Sequence, residues 1–240
     1  MNIVVCAKQI PDPAAPQSFD ASNNLDRSGK LILDEADTYG VEMALQLVDA
    51  AGGGEVTVVS MGSAADVSGL RNALAMGAAK AVIVSDDALR GTDALGTAKV
   101  LAEVIKRQNA DLVLAATESS DGYTGTTPVQ VAELLGLPSI TFAKSVKIDG
   151  SSVKVERQTE SGYDEVSAPL PAVTAKSAGT RGLARNWFTA RDGCSGSRLR
   201  PPVATSRPSS QVRRTRKFFQ LSTSMKSAGS PSRSRPTDSP

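Results

Sequence analysis

At 240 residues, 40% of them hydrophobic but only 4% aromatic, the chain has room for one α/β domain with a core of Ala, Val, Leu and Ile, plus an appendage. It contains no His, and its two cysteines, Cys6 and Cys194, have no partner at metal-ligand spacing; this excludes a zinc site and the Ser-His or Cys-His pairs of many hydrolases. The net charge of +2 hides two unlike parts, since residues 1–175 carry 13 Lys/Arg against 23 Asp/Glu while residues 176–240 carry 14 against 2, near −10 and +12.

The N-terminus lacks the basic start, long apolar run and cleavage site of a signal peptide, and no run of about 18 apolar residues follows anywhere, so a cytoplasmic chain without membrane insertion is expected. Ile3-Val4-Val5-Cys6-Ala7 has the character of a buried strand, closed by Pro11 and Pro13 and followed by a polar loop from Gln17 to Lys30. Asp34-Glu35-Ala36-Asp37 places acids in a first helical turn, and Val41, Ala44, Leu45 and Val48 keep helical spacing until Gly52-Gly53-Gly54. Glu55–Met61 predicts a second strand, 64–76 a helix ended by Gly77, 81–84 a third strand, 92–108 a helix and 112–116 a fourth strand.

Strands separated by helical segments of this length require right-handed crossovers and parallel pairing, hence a doubly wound, mostly parallel sheet. After Pro138 the runs 146–148, 153–158, 164–168 and 172–174, broken by Asp149-Gly150, Ser161-Gly162 and Pro169, predict a small antiparallel extension. From about Lys176 apolar periodicity stops and 11 Arg, 13 Ser and 6 Pro crowd into 65 residues, the composition of a disordered basic tail.

In such a sheet the ligand crevice lies at the carboxyl ends of the strands, where the strand order reverses. Lys8-Gln9-Ile10-Pro11-Asp12 after the first strand is neither a G-x-G-x-x-G turn nor a Walker A loop, which argues against a dehydrogenase and a P-loop enzyme. After the fourth strand stands Thr117-Glu118-Ser119-Ser120-Asp121-Gly122-Tyr123-Thr124-Gly125-Thr126-Thr127-Pro128, which opens a helix through Val131 to Leu135. A Gly- and hydroxyl-rich loop at a helix start presents free N–H groups to an anion such as phosphate. The plainer alternative is that Thr126 or Thr127 only caps the helix, with Pro128 in its first turn.

From the first strand to about residue 175 the chain resembles the beta subunits of electron-transfer flavoproteins. The resemblance rests on Val4 to Asp12, Leu33 to Asp37 with Val41-Glu42-Met43-Ala44, Ala73-Leu74-Ala75-Met76-Gly77-Ala78, Asp121 to Pro128, Ala132 to Pro138, Val155-Glu156-Arg157 and Pro169-Leu170-Pro171-Ala172-Val173. It implies an adenine-nucleotide alpha-hydrolase-like fold that is no enzyme by itself and holds a structural AMP. It also implies pairing with an alpha subunit that carries FAD, and electron transfer from acyl-CoA or other flavin dehydrogenases to a quinone reductase or another acceptor. On that resemblance Cys6, Ala7, Asp34, Glu35, Ala36, Asp37 and Met61 line the adenosine, and Asp121, Gly122, Tyr123, Thr124, Gly125, Thr126 and Thr127 hold the phosphate. Family members with a second FAD in place of AMP carry Asp-Gly-Asp-Thr where this chain has Asp121-Gly122-Tyr123-Thr124, so AMP is expected.

For Cys6 and Met61 the bland reading is core packing, and for the acids at 34–37 a favourable helix start. The family's Pro-Arg-Tyr and Ile-Met-x-Ala-Lys stretches are missing after residue 175, and the abrupt Arg/Ser/Pro-rich change resembles a reading-frame shift; a genuine basic tail is the alternative. Two other functions remain open on the residues. One is a stand-alone stress-type protein that binds an adenine nucleotide. The other is nucleic-acid binding through Arg213-Arg214-Thr215-Arg216-Lys217-Phe218-Phe219, a weak signal without a folded basic face.

Overall fold

A computed structural model of the chain describes residues 1–177 and the strand backbone at 217–222. In chain order the elements are β1 (Asn2–Cys6), β2 (Gln9–Pro11), β3 (Leu31–Leu33), α1 (Glu35–Ala50), β4 (Glu55–Met61), α2 (Ser68–Met76), β5 (Lys80–Ser85), α3 (Ala94–Lys106), β6 (Leu112–Ala116) and α4 (Thr127–Leu135). There follow β7 (Ser139–Asp149), β8 (Ser152–Thr159), β9 (Gly162–Pro169), β10 (Ala172–Lys176) and β11 (Lys217–Ser222).

Nine of these strands form one sheet in the order β11-β5-β4-β1-β6-β10-β7-β8-β9, and β2 pairs with β3 in a separate ribbon. β1, β4, β5, β6 and β10 run parallel, and β1 sits between β4 and β6 in near-identical register, Val5 opposite both Val58 and Leu114. The central strands β4, β1 and β6 are mostly apolar because both of their faces are covered, with only Thr57 and Ser60 of β4 polar among their buried positions. Ile3 and Val5 belong to the core under α1 and α2, while Val4 belongs to the core under α3 and α4. All three are at most 1% exposed.

The chain passes outward from β1 to β4 and β5, then returns across β1 to β6. The order therefore reverses between β1 and β6, and their carboxyl ends open a crevice there. β7 begins parallel to β10, passes an irregularity between Ala143 and Ser145, and continues antiparallel to β8; Phe142 has a φ of 56° just before it. One long strand thus joins the parallel sheet to the antiparallel extension, whose inner face, Val146, Val153, Val155 and Val166, packs into the α1-side core.

The structure departs from the expected elements in several places. Residues 172–174, expected in the antiparallel extension, lie in β10, parallel to β6 and inserted between β6 and β7. Ala172, in the α1-side core, and Val173, in the α3–α4 core, are at most 1% exposed, and burial of both faces places such a strand inside the parallel sheet. β10 ends at Lys176, one residue past the expected break, where a half-loop bond forms: the Thr117 N–H and hydroxyl both donate to the Lys176 carbonyl, at 2.8 and 2.7 Å. The stretch between β1 and α1 contains the ribbon β2–β3, and α2 starts at Ser68, four residues after its expected start.

Finally, β11 lies in the part read as a disordered tail and pairs antiparallel with the open edge of β5, Lys217 opposite Ser85 and Ser222 opposite Lys80. Its sequence, Lys-Phe-Phe-Gln-Leu-Ser, has high strand propensity within that tail, and an unpaired apolar edge such as β5 accepts a strand of this kind. The rest of the tail, residues 178–216 and 223–240 with the Arg213–Arg216 cluster, lies outside the described residues, as does most of the 176–240 stretch expected to be frame-shifted. Among the described residues no helix is long and apolar enough to cross a membrane.

Candidate functional site

The start of α1 and the loop between β6 and α4 meet at the β1/β6 crevice. Asp34 is the N-cap of α1, and one of its oxygens accepts the Ala36 N–H at 3.1 Å. The same carboxylate accepts the Ser120 N–H and the Ser120 hydroxyl, both at 2.7 Å, so it fastens the β6–α4 loop to the helix start. Asp34 is completely buried. A buried carboxylate needs donors in place of its lost hydration, and here three protein donors supply them.

Asp37, one turn on and 5% exposed, performs the neighbouring task. Its Oδ2 accepts the Lys8 N–H at 2.7 Å, and its carboxyl also takes the Ala116 N–H, so it ties the ends of β1 and β6 across the point of reversal. Burial pushes its carboxyl up to about 8, with the charge of Asp34 adding to the rise against those two hydrogen bonds. Burial, helped by Asp37, likewise pushes the Cys6 thiol up to about 12, which makes it a poor nucleophile at neutral pH.

In the β6–α4 loop, Asp121 is turned inward with its side chain only 6% exposed and is held by two cations. Lys8 Nζ is 2.6 Å from Oδ1, and the Arg27 guanidinium pairs with Oδ2. Burial alone would raise this carboxyl, but the hydrogen bonds from Lys8 and Arg27 outweigh it and hold Asp121 below the usual carboxylate range. Lys8 Nζ also donates to Ser119 Oγ at 3.2 Å, and the Gly122 and Tyr123 N–H groups turn back to the Ser119 carbonyl.

A Cβ on Gly122 would stand 3.3 Å from Ser119 Oγ and 3.7 Å from Lys8 Nζ, so the loop is packed tightly there. Gly125 adopts a φ of 63°, a region open to glycine at no steric cost. Tyr123 also has positive φ, 48°, and its ring is 68% exposed. Thr126 occupies the N-cap position of α4 but makes no side-chain cap hydrogen bond, and the first turn holds no acid. The capping alternative for Thr126 is therefore not realised, and α4 points an uncapped N-terminus at the crevice.

The chain was compared with known proteins. The family model for the electron transfer flavoprotein domain matches residues 23–180. The chain is 38% identical over 174 residues to the electron transfer flavoprotein subunit beta of Clostridium acetobutylicum and 40% identical over 179 residues to that of Mycobacterium tuberculosis. Each match covers 72% of this chain and 67% of the relative. The chain belongs to the electron transfer flavoprotein beta-subunit family. Its function is accordingly electron transfer as a flavoprotein subunit. It is also similar, at 37% identity over 175 residues, to a protein of Acetobacterium woodii named as subunit CarD of a caffeyl-CoA reductase–Etf complex, with 72% of this chain and 67% of that one covered.

All positions expected to hold nucleotide in this electron transfer flavoprotein subunit fall at the carboxyl edge of β1, β4 and β6 or at the start of a helix leaving it. Asp34 and Asp37 are brought into direct linkage with β1 and the β6–α4 loop. Glu35 instead accepts from the Tyr39 hydroxyl at 3.1 Å, and Ala36 contributes its N–H to the Asp34 cap. Ala7, 7% exposed, extends the β1–β4 pairing through its N–H to Val59, while Cys6 and Met61 pack partly buried against the α3–α4 core.

Sequence reading missed the roles of Lys8, Arg27, Ser119 and Ser120. It also missed Gln9, whose side chain donates to the Asp66 carbonyl at 3.0 Å and accepts the Gly69 N–H at 2.9 Å, pinning the ribbon to the start of α2. The signals for Lys8 and Gln9 were their place in the segment after the first strand and within the stretch from Val4 to Asp12 that carries the family resemblance. A shallow depression lined by Met1, Ala51, Asp111 and Leu170 lies at the opposite, amino-terminal end of the strands and shares no residue with this cluster.

Proposed function

We propose that this subunit holds AMP as a structural ligand at the β1/β6 crevice and pairs with an FAD-carrying alpha subunit. In that pair it passes electrons from acyl-CoA or other flavin dehydrogenases to a quinone reductase or a comparable acceptor. The observation that carries the nucleotide reading is the uncapped start of α4, preceded by a Gly- and hydroxyl-rich loop in which Gly125 takes a positive φ. The α4 N–H groups and the hydroxyls of Thr124, Thr126 and Thr127 supply the donors that a phosphate takes. Ala7, Asp34 to Asp37 and Met61 border the adenosine side. Tyr123 in place of a second acid in the Asp-Gly-x-Thr loop favours AMP over a second FAD.

FAD, when bound with the partner, supplies the redox chemistry, and the residues here bind and orient. None is assigned a role as acid, base or nucleophile. Replacing Thr127 with Val removes a contact to a charged group, worth about 1.5–3 kcal/mol. Calorimetry with AMP should show that loss, and equal affinity of T127V and wild type would refute the role of Thr127. Co-purification with a yellow flavoprotein partner checks the pairing.

A further inference from the structure

Lys8 Nζ and the Arg27 guanidinium converge on one carboxylate from separate parts of the fold. Lys8 follows β1, whereas Arg27 comes from the segment between β2 and β3, 94 positions from Asp121 in the chain. Arg27 is anchored at a second point, donating to the Gln9 carbonyl at 3.2 Å. The β6–α4 loop carries two acids, Glu118, whose Oε2 stands 3.7 Å from a Cβ placed on Gly125, and Asp121. Uncompensated, those acids would repel any anion approaching the start of α4. With Lys8 and Arg27 counted, these four side chains sum to zero, and in this loop only the Asp34 carboxylate held on Ser120 still opposes the polarity of the α4 N-terminus.

We propose that Lys8 and Arg27 are positioning residues for anion binding in this subunit: by sharing the Asp121 carboxylate they cancel a charge that opposes a phosphate at α4, and Arg27 straps the β2–β3 segment to the site. The proposal rests on the nucleotide reading above and adds two residues to it that do not themselves touch the ligand. It also reverses the expected part of Asp121, which becomes the anchor of the loop and not a phosphate contact.

A double-mutant cycle on the full chain separates this from direct contact. AMP titrated by calorimetry should bind R27Q about 10-fold more weakly than wild type, D121N within about 3-fold of wild type, and the double variant like D121N. An R27Q loss of the same size in the D121N background would mean that Arg27 touches the phosphate itself and would overturn the proposal, as would an R27Q variant with wild-type affinity. Hydrogen exchange of the nucleotide-free chain reads the strap without any ligand. R27Q and D121N should each speed exchange across residues 12–30, and the double variant no further. Unchanged exchange in R27Q would overturn the strap. A wild-type chain that binds no AMP would overturn the nucleotide reading and the charge role together, while the exchange result would still decide the strap.

Discussion

Two helices begin at the same crevice and treat their N-termini in opposite ways. At α1 the Asp34 carboxylate caps the helix, Glu35 and Asp37 add acids to the first turn, and the bonds from Asp34 and Asp37 extend to the neighbouring strand ends and loop. At α4 the N-cap Thr126 makes no side-chain cap bond, the first turn has no acid, and Pro128 occupies a position where an N–H would go unpaired. The same four orphan N–H groups exist at both starts. At α1 a carboxylate takes one of them, the Ala36 N–H, whereas the N-cap side chain of α4 takes none. The two helix starts thus differ in whether a side chain of the protein caps them.

The largest test breaks the closed end. Asp34→Ala removes a cap and two further bonds to a fully buried carboxylate, so a loss of roughly 3–5 kcal/mol is expected in denaturant unfolding. Asp34→Asn, which keeps a capping oxygen, should lose distinctly less. A cost below about 1 kcal/mol for the alanine variant would mean that α1 is not held shut in this way.

The next test uses pH. The Asp37 carboxyl is raised from its ordinary value to about 8, so the folded chain binds a proton that the unfolded chain releases at a lower pH. Its contribution is fully present below the unfolded carboxyl range and is lost as pH rises toward 8, with a slope of at most about 1.4 kcal/mol per pH unit. Unfolding midpoints measured between pH 5 and 8 should fall for wild type and change less for Asp37→Asn. Parallel curves for the two proteins would remove Asp37 as the cause.

The smallest effect converts the open end into a closed one. Thr126→Asp should cap α4 and stabilise the fold by about 0.5–1 kcal/mol while cutting AMP affinity at least about 10-fold. Stabilisation without loss of AMP binding would show that the phosphate does not use this helix start.

The strands of the parallel sheet were readable because Ile3 to Val5 and Leu112 to Ala115 are apolar and buried on both faces, and Val56 to Ser60 departs from that only at the buried Thr57 and Ser60. The turn chemistry after β6 was readable for a similar local reason, since Gly122, Gly125 and the run of hydroxyls can be seen without knowing their neighbours. β10 was misplaced because four apolar or small residues, Ala172 to Ala175, after a hairpin look alike whether they extend the hairpin or return to the parallel sheet. The acids at 34–37 were visible as a favourable helix start, but dipole complementarity is the same for a solvated and a buried carboxylate.

Residue order along the chain set the α/β pattern, the position of the glycine loop and the family, all of which depend on neighbours a few positions apart. Only the tertiary structure decided that Asp34 grips Ser120, 86 positions away, and that Lys8 and Arg27 meet on Asp121, 113 and 94 positions away. The physical reason is burial. Once the sheet closes and water leaves the crevice, each charge must be matched by whatever donor or counter-charge the fold brings beside it, and that choice is made by topology and not by local pattern.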